Sequence, residues 1–265
     1  MKKYKDLLDH PLNKRIEFHQ THPEHGRCYI FTDTLNQKKI IDGITTFIKQ
    51  FSHPFEGKKI AKGVAFKRRR DTGWEGTPED ILAEWKMEGD LAGEFGDMVH
   101  KEIEEFLDTG EITDSEIITA VMDIIQPYDV VAQEFVIINP IMEVATHVDL
   151  ILHDRKSGYV VWDWKTNKRI RFEGYKGQCL LPPFDMYDES EFYKYSMQIS
   201  FAVHTLRKHY NVPISDQWQH KIFHLRNDLT SNEWPWGDQV YKEYVAFDMT
   251  DDLEQYEQQL LNNVK

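Results

Sequence analysis

Three residues in one short stretch of this chain have the types and spacing for phosphate chemistry: Asp149, Asp163 and Lys165. They lie in two apolar runs, EVATHVDLILH over 143–153 and YVVWDWKT over 159–166, joined by a turn that contains Gly158. Two such runs around a glycine-containing turn read as a hairpin. Its centre falls close to Lys156, with Asp149 seven residues before it and Asp163 seven after. Residues symmetric about the turn of an antiparallel pair lie opposite each other, with Cβ atoms about 4.5–5.5 Å apart on a shared face. Lys165, two residues beyond Asp163, points the same way. The pattern therefore predicts two carboxylates and an ammonium on one patch, among Val148, Leu150, Ile151, Leu152, Val160, Val161 and Trp162. Facing carboxylates repel each other and are poorly hydrated there. A hard cation, Mg²⁺ or Mn²⁺, relieves that cost because it takes oxygen ligands and keeps waters for a substrate. The ammonium can steady the negative charge of a phosphate. The competing reading is a surface hairpin on which Asp163 and Lys165 form an ordinary ion pair.

The segment HVDLIL (147–152) followed by VVWDWKT (160–166) resembles motifs II and III of the PD-(D/E)XK nuclease superfamily. It is most similar to the RecB-like branch, which includes phage exonucleases, Cas4-like nucleases and the mitochondrial genome maintenance exonuclease. GDMVHKEIE (96–104) resembles the upstream helix motif of that branch, YSMQ (195–198) its helical Gln motif, and GITTF (43–47) an N-terminal segment of the mitochondrial type. The resemblance covers about 90–225. It departs from the family in having no Pro before Asp149, His147 where Gly is common, and Ala202 where Tyr is usual. It implies His100, Asp149 and Asp163 as metal ligands, with the Trp164 carbonyl as a further one, and Lys165 as the catalytic lysine. It also implies that Gln198, with Tyr195 beside it, contacts the substrate strand or supports the site. Glu134 is a candidate for an additional acidic ligand, against its reading as an exposed strand residue. The cluster cysteines of the Cas4-like members are missing, and the two cysteines, Cys28 and Cys179, form no CxxC pair, so no iron–sulfur cluster is expected. No GxxxxGKS/T phosphate loop is present, which points to a nuclease without a helicase.

The elements that must position these residues follow from pattern. Residues 1–28 read as an irregular or helical lead-in, with a short strand at RCYIF (27–31) and a turn into a helix over 40–51. Residues 52–76 carry Pro54, Gly57, Gly63, Gly73 and Gly76, and read as a long loop or mobile lid. Thr77 before Pro78, Glu79 and Asp80 is a helix start, and apolar spacing continues the helix to about 107, with a break near Gly89. Helices are further expected over 115–125, 190–210 and 251–261, and strands over 130–138, 219–225 and 240–247. The fold class is α/β: a restriction-endonuclease-like central mixed sheet flanked by helices, with an N-terminal helical or irregular extension. The division is 1–76 as an extension with a basic loop, packed on the core, and 77–265 as the nuclease core.

The net charge of −13 argues against a protein that coats nucleic acid, but not against an enzyme with local positive charge. Basic residues cluster at 58–70, including Arg68, Arg69 and Arg70, and at 165–171, including Lys168 and Arg169. Both stretches are expected to guide a DNA backbone, the first having a solvated loop as its alternative. His19, His22 and His25 are read as a polar loop, His220 and His224 as strand residues, and Trp234 and Trp236 as packing aromatics. No apolar run is long enough for a membrane span, and the N-terminus lacks an apolar signal core, so a cytoplasmic location is expected. The expected partners are DNA, as single strands or ends, and a protein of replication or recombination. The expected activity is a Mg²⁺- or Mn²⁺-dependent DNA exonuclease. Its alternatives are a structure-specific endonuclease on the same site, a catalytically silent DNA-binding or recombination module, and a protein-interaction module.

Overall fold

The computed structural model describes residues 5–24, 26–156, 158–214, 218–226 and 234–263. It is an α/β structure with one mixed, open eight-stranded sheet flanked by helices. After a helical turn α1 (Lys5–Leu8), the strands β1 (Ile16–His22), β2 (Gly26–Thr32) and β3 (Lys38–Gly43) form an antiparallel meander. The hairpin read from sequence is β5 (Val144–Asp154) and β6 (Gly158–Lys165), with β4 (Asp129–Asn139) antiparallel to β5. β7 (Lys221–Leu225) runs parallel to β6, and β8 (Tyr241–Val245) closes that side.

One strand edge decides where a site can form. β4 covers one edge of β5 from Val144 to His153. On the other edge, β3 pairs only with Val144 and Ala145, and β6 only with 150–154. Among the described residues, 146–149 therefore have no strand partner on that side. β3 and β6 splay apart there and leave a notch in the sheet.

Helices cover both faces, for reasons visible in the strand alternation. Leu150, Leu152, Val160, Trp162 and Trp164 pack against α4 (Pro78–Thr109) and α5 (Glu116–Ile125) through Phe95, Val99, Ile103, Ile118 and Val121. Ile151 and Val161 point to the other face, against Ile199, Val203 and Leu206 of α6 (Glu191–His209). α2 (Ile44–Gln50) and α7 (Thr250–Asn263) join α6 through Phe47, Phe201 and Leu253. Burial of such side chains, about 1.5–3 kcal/mol each, is the main force holding the layers together.

Three expectations are corrected. Residues 16–22 and 26–32 are strands of the same sheet, because β3 joins β5 in parallel and carries the meander with it. Residues 57–72, expected as a loop or lid, form the helix α3 (Gly57–Thr72). Ala61 and Ala65 are small enough for α3 to lie close on Ile81, Leu82 and Trp85 of α4. Gly73, at φ 70°, ends α3 in the left-handed conformation that glycine adopts without strain. Nor does α4 break at Gly89. It runs 32 residues from a Thr77–Asp80 capping box to Gly110. Its first half and α3 form a helical arm, and its second half lies on the sheet.

Candidate metal centre and groove

The notch opens into a groove of about 1120 Å³ between α4, the β1–β3 meander and the start of α2. α4 turns a nearly bare face to it, Ala92, Gly93 and Gly96, followed by Asp97, His100, Lys101 and Glu104. Gly96 lets α4 come close: a Cβ there would make a tight contact, 3.2 Å from Thr166 Oγ1, just beyond β6. The opposite wall is Phe18, Arg27 and Tyr29. The Tyr29 hydroxyl is 2.8 Å from His147 Nδ1 in the notch. Gly43 leaves room for the Tyr29 ring, which a Cβ would meet at 3.1 Å.

At the floor, His100, Glu134 and Asp149 bring one ligand atom each to within 4.8 Å of one another. His100 Nδ1 is 3.2 Å from Glu134 Oε1 and 3.8 Å from Asp149 Oδ2. Burial alone would lower the His100 pKa, but Asp149 and then Glu134 outweigh it and push it up to about 9. A proton on His100 thus does the neutralising that a cation would do. The notch explains how these residues meet. His100 comes from α4 on one face, and the missing strand contacts let it reach Asp149 at the exposed edge of β5. Glu134 is brought in by the backbone. Its φ is 43°, left-handed in the middle of a strand, and its β4 neighbours Gln133 and Phe135 pair with Leu150 and Val148 on either side of Asp149. A left-handed residue with a Cβ is strained by about 1–2 kcal/mol.

Asp149 also holds the splayed hairpin together. The ladder ends at Leu150–Trp162, and the next link is the Trp164 N–H donating to Asp149 Oδ2 at 2.8 Å. Trp164 is tied to the site through this amide, while its ring lies in the core. Asp163 and Lys165 face α6. The Lys165 Nζ is 2.5 Å from Asp163 Oδ2, and Gln198 Nε2 donates to Oδ1 at 3.2 Å. The Tyr195 ring lies 4.8 Å under the Lys165 ammonium. Burial raises the Asp163 pKa and the nearby Asp149 charge adds to this, with Lys165 opposing. Burial lowers that of Lys165, but Asp163 and Asp149 reverse the sign and keep it protonated.

The expected residues therefore divide. His100, Asp149, Lys165, Gln198 and Glu134 all line the groove, and Asp163 lies just behind it, against Gln198. The three-ligand group at the groove floor contains Glu134 in place of Asp163. Apart from Lys165, the basic stretches do not line the groove. Arg68 pairs with Glu84 at 2.7 Å, Arg70 with Asp71 at 2.7 Å, and Arg69 reaches the Gly76 carbonyl at 3.3 Å, all on the arm. Lys168 lies 3.8 Å from Glu88, and Arg169 is likewise absent from the lining. Arg27, Lys101 and Lys165 are the lining cations, facing Asp42, Asp97, Glu104, Glu134 and Asp149.

The weaker sequence signals are also placed. His19 and His22 are on β1, and His25 lies outside the described residues. His220 and His224 are buried near β7; the His220 Nδ1 accepts the Val161 N–H at 2.9 Å, and burial holds the pKa of both down. Trp234 donates to the Gln239 carbonyl at 2.7 Å, a packing role, while Trp236 lies beneath Lys242. Sequence reasoning missed the Phe18–Tyr29 wall. The apolar–polar alternation of IEFHQTH (16–22) was the signal available. Among the described residues, no helix is long and apolar enough to cross a membrane. No family model matches the chain, and no curated protein shows significant similarity to it.

Proposed function

We propose that the chain is a divalent-metal-dependent nuclease that hydrolyses phosphodiester bonds in DNA, acting from ends. The observation that carries this reading is the convergence of His100, Glu134 and Asp149 on one point, beside the Lys165 ammonium, on a groove floor. One imidazole nitrogen and two carboxylates suit Mg²⁺ or Mn²⁺. Asp163 stands next to this set as a further carboxylate. When bound, a divalent cation supplies Lewis acidity toward a phosphoryl oxygen and lowers the pKa of water.

The chain's own residues do the rest. His100 would hold the cation through its neutral imidazole, which requires its proton to leave. Lys165, fixed between Asp163 and the Tyr195 face, presents a permanent positive charge to the phosphate as negative charge builds on it. Gln198 holds the Asp163 carboxylate, and so the lysine, in place. The bare face of α4 at Ala92, Gly93 and Gly96 leaves room for a strand to approach the floor.

The test is degradation of 5′- and 3′-labelled single- and double-stranded DNA with Mg²⁺, Mn²⁺ or EDTA, with Lys165→Ala alongside. Metal-dependent cleavage that the variant loses supports the reading, and the ladders give polarity. DNA binding without cleavage would favour a silent binding module. Neither binding nor cleavage would refute a nucleic-acid role.

A further inference from the structure

We infer that His204, His209 and Glu257 form a second metal site, of zinc type, that fastens α7 to α6 and to the end of β4, apart from the groove. Their ligand atoms lie within 4.8 Å of one another. The Glu257 side chain is fully buried, and the side chains of His204 and His209 are 5% and 13% exposed. Each oxygen of the one carboxylate meets the Nε2 of a different histidine: Oε2 faces His204, and Oε1 lies 3.1 Å from His209. Two imidazole nitrogens and a carboxylate are a set that zinc takes, at about 2.0–2.2 Å per bond, which puts neighbouring ligand atoms roughly 3.3 Å apart.

The surroundings are built to orient these ligands. Asn139 Nδ2 donates to Glu257 Oε2 at 3.2 Å, while its own Oδ1 accepts the N–H groups of Ile141 and Met142 at 3.0 and 2.9 Å. Those two bonds fix which end of the amide faces the carboxylate. Partners of this kind hold metal ligands in register. Lys208 lies 3.8 Å from Oε1 but pairs more closely with Glu254, at 3.1 Å. A fully buried carboxylate is costly without a compensating positive charge, and a divalent ion held among these three side chains supplies one. The site is independent of the nuclease reading, and its residues are absent from the groove lining.

The test uses the full chain with His100→Ala, which disables the groove site, stripped with chelator and titrated with Co²⁺ and Zn²⁺. The expected result is one equivalent of Co²⁺ giving the visible absorption of a tetrahedral ion, displaced by Zn²⁺. Zn²⁺ at a hundredfold excess over its Kd should raise Tm by about 5–10 °C. His209→Asn, at the more exposed edge, should abolish both effects while its far-UV circular dichroism stays that of the parent. X-ray absorption on the Co²⁺-loaded His100→Ala protein needs no further variant and should count two imidazole ligands. A spectrum without imidazole ligands, no saturable Co²⁺ binding, or binding unchanged in a folded His209→Asn protein would overturn the proposal and leave a hydrogen-bonded histidine–carboxylate network.

Discussion

Glu134 offers the sharpest separation of structure from function. Its φ of 43° places a residue with a Cβ in the left-handed region, within a strand, beside His100 and Asp149. Replacing it by Ala removes the carboxylate and keeps the strain, whereas replacing it by Gly removes both. The left-handed penalty is about 1–2 kcal/mol. Glycine returns roughly 0.5–1 kcal/mol of this through the extra freedom of its unfolded chain. Glu134→Gly should therefore be more stable than Glu134→Ala by about 0.5–1 kcal/mol, or roughly 1–4 °C in Tm. Urea unfolding of the two proteins side by side measures this difference, and the missing carboxylate cancels between them. Both should bind Mn²⁺ at least about tenfold more weakly than the parent by calorimetry, since even partners that only orient ligands are worth 10–100-fold. If the Ala protein equals or exceeds the Gly protein in stability, the backbone at this position is not strained. If either protein keeps the parent's Mn²⁺ affinity, Glu134 is not a ligand and the left-handed turn has no purpose in this site.

Three further outcomes are expected. The His100 pKa is raised to about 9, so its imidazolium stabilises the metal-free fold fully below its ordinary 6.5, and that contribution fades as pH rises through 9. A metal must displace the same proton, so Mn²⁺ affinity should climb about tenfold per pH unit from roughly 7 to 9 and then level off; a flat calorimetric profile would contradict this. Lys165→Ala should lower cleavage by about 10²–10³-fold or more, and retained Mn²⁺ binding in the variant would assign the loss to charge stabilisation. Thr77→Ala removes the cap of α4 and should cost about 1 kcal/mol. Hydrogen exchange should speed up at residues 78–82 and stay unchanged in β5 and β6.

The hairpin was legible because its information is local: apolar alternation, a glycine turn, and acids symmetric about Lys156. The helices α4, α5, α6 and α7 were legible from caps and periodicity. What was not legible depends on distant partners. Gly57 and Gly63 weaken α3 as an isolated helix, and only Ile81 and Trp85 on α4 make it stable. β1 reads as polar because one side of it faces the groove or solvent, and its pairing with β2 is what makes it a strand. In the site, His100, Asp149 and Lys165 could be named from spacing and resemblance. The prominence of Glu134 could not, since a left-handed residue within a strand leaves no mark on composition. The basic clusters were visible as charge, but their pairing with Glu84, Asp71 and Glu88 was not.

The two parallel pairings of the sheet also set an order of assembly. β3 must wait for Val144, about a hundred residues downstream of its partner Asp42, and β6 must wait about sixty more for β7. At ribosomal speeds of about 5–20 residues per second, the meander would stand for roughly 5–20 s with the β3 edge open. An open edge invites pairing with another nascent chain, and this one is guarded by its brevity and by Lys38, Lys39 and Asp42. The strand that leaves the notch half-paired is thus also the one whose late arrival limits when the chain can close. Long-range parallel pairing of this kind is intrinsically slow to form, because the loop must close before the strand contact rewards it.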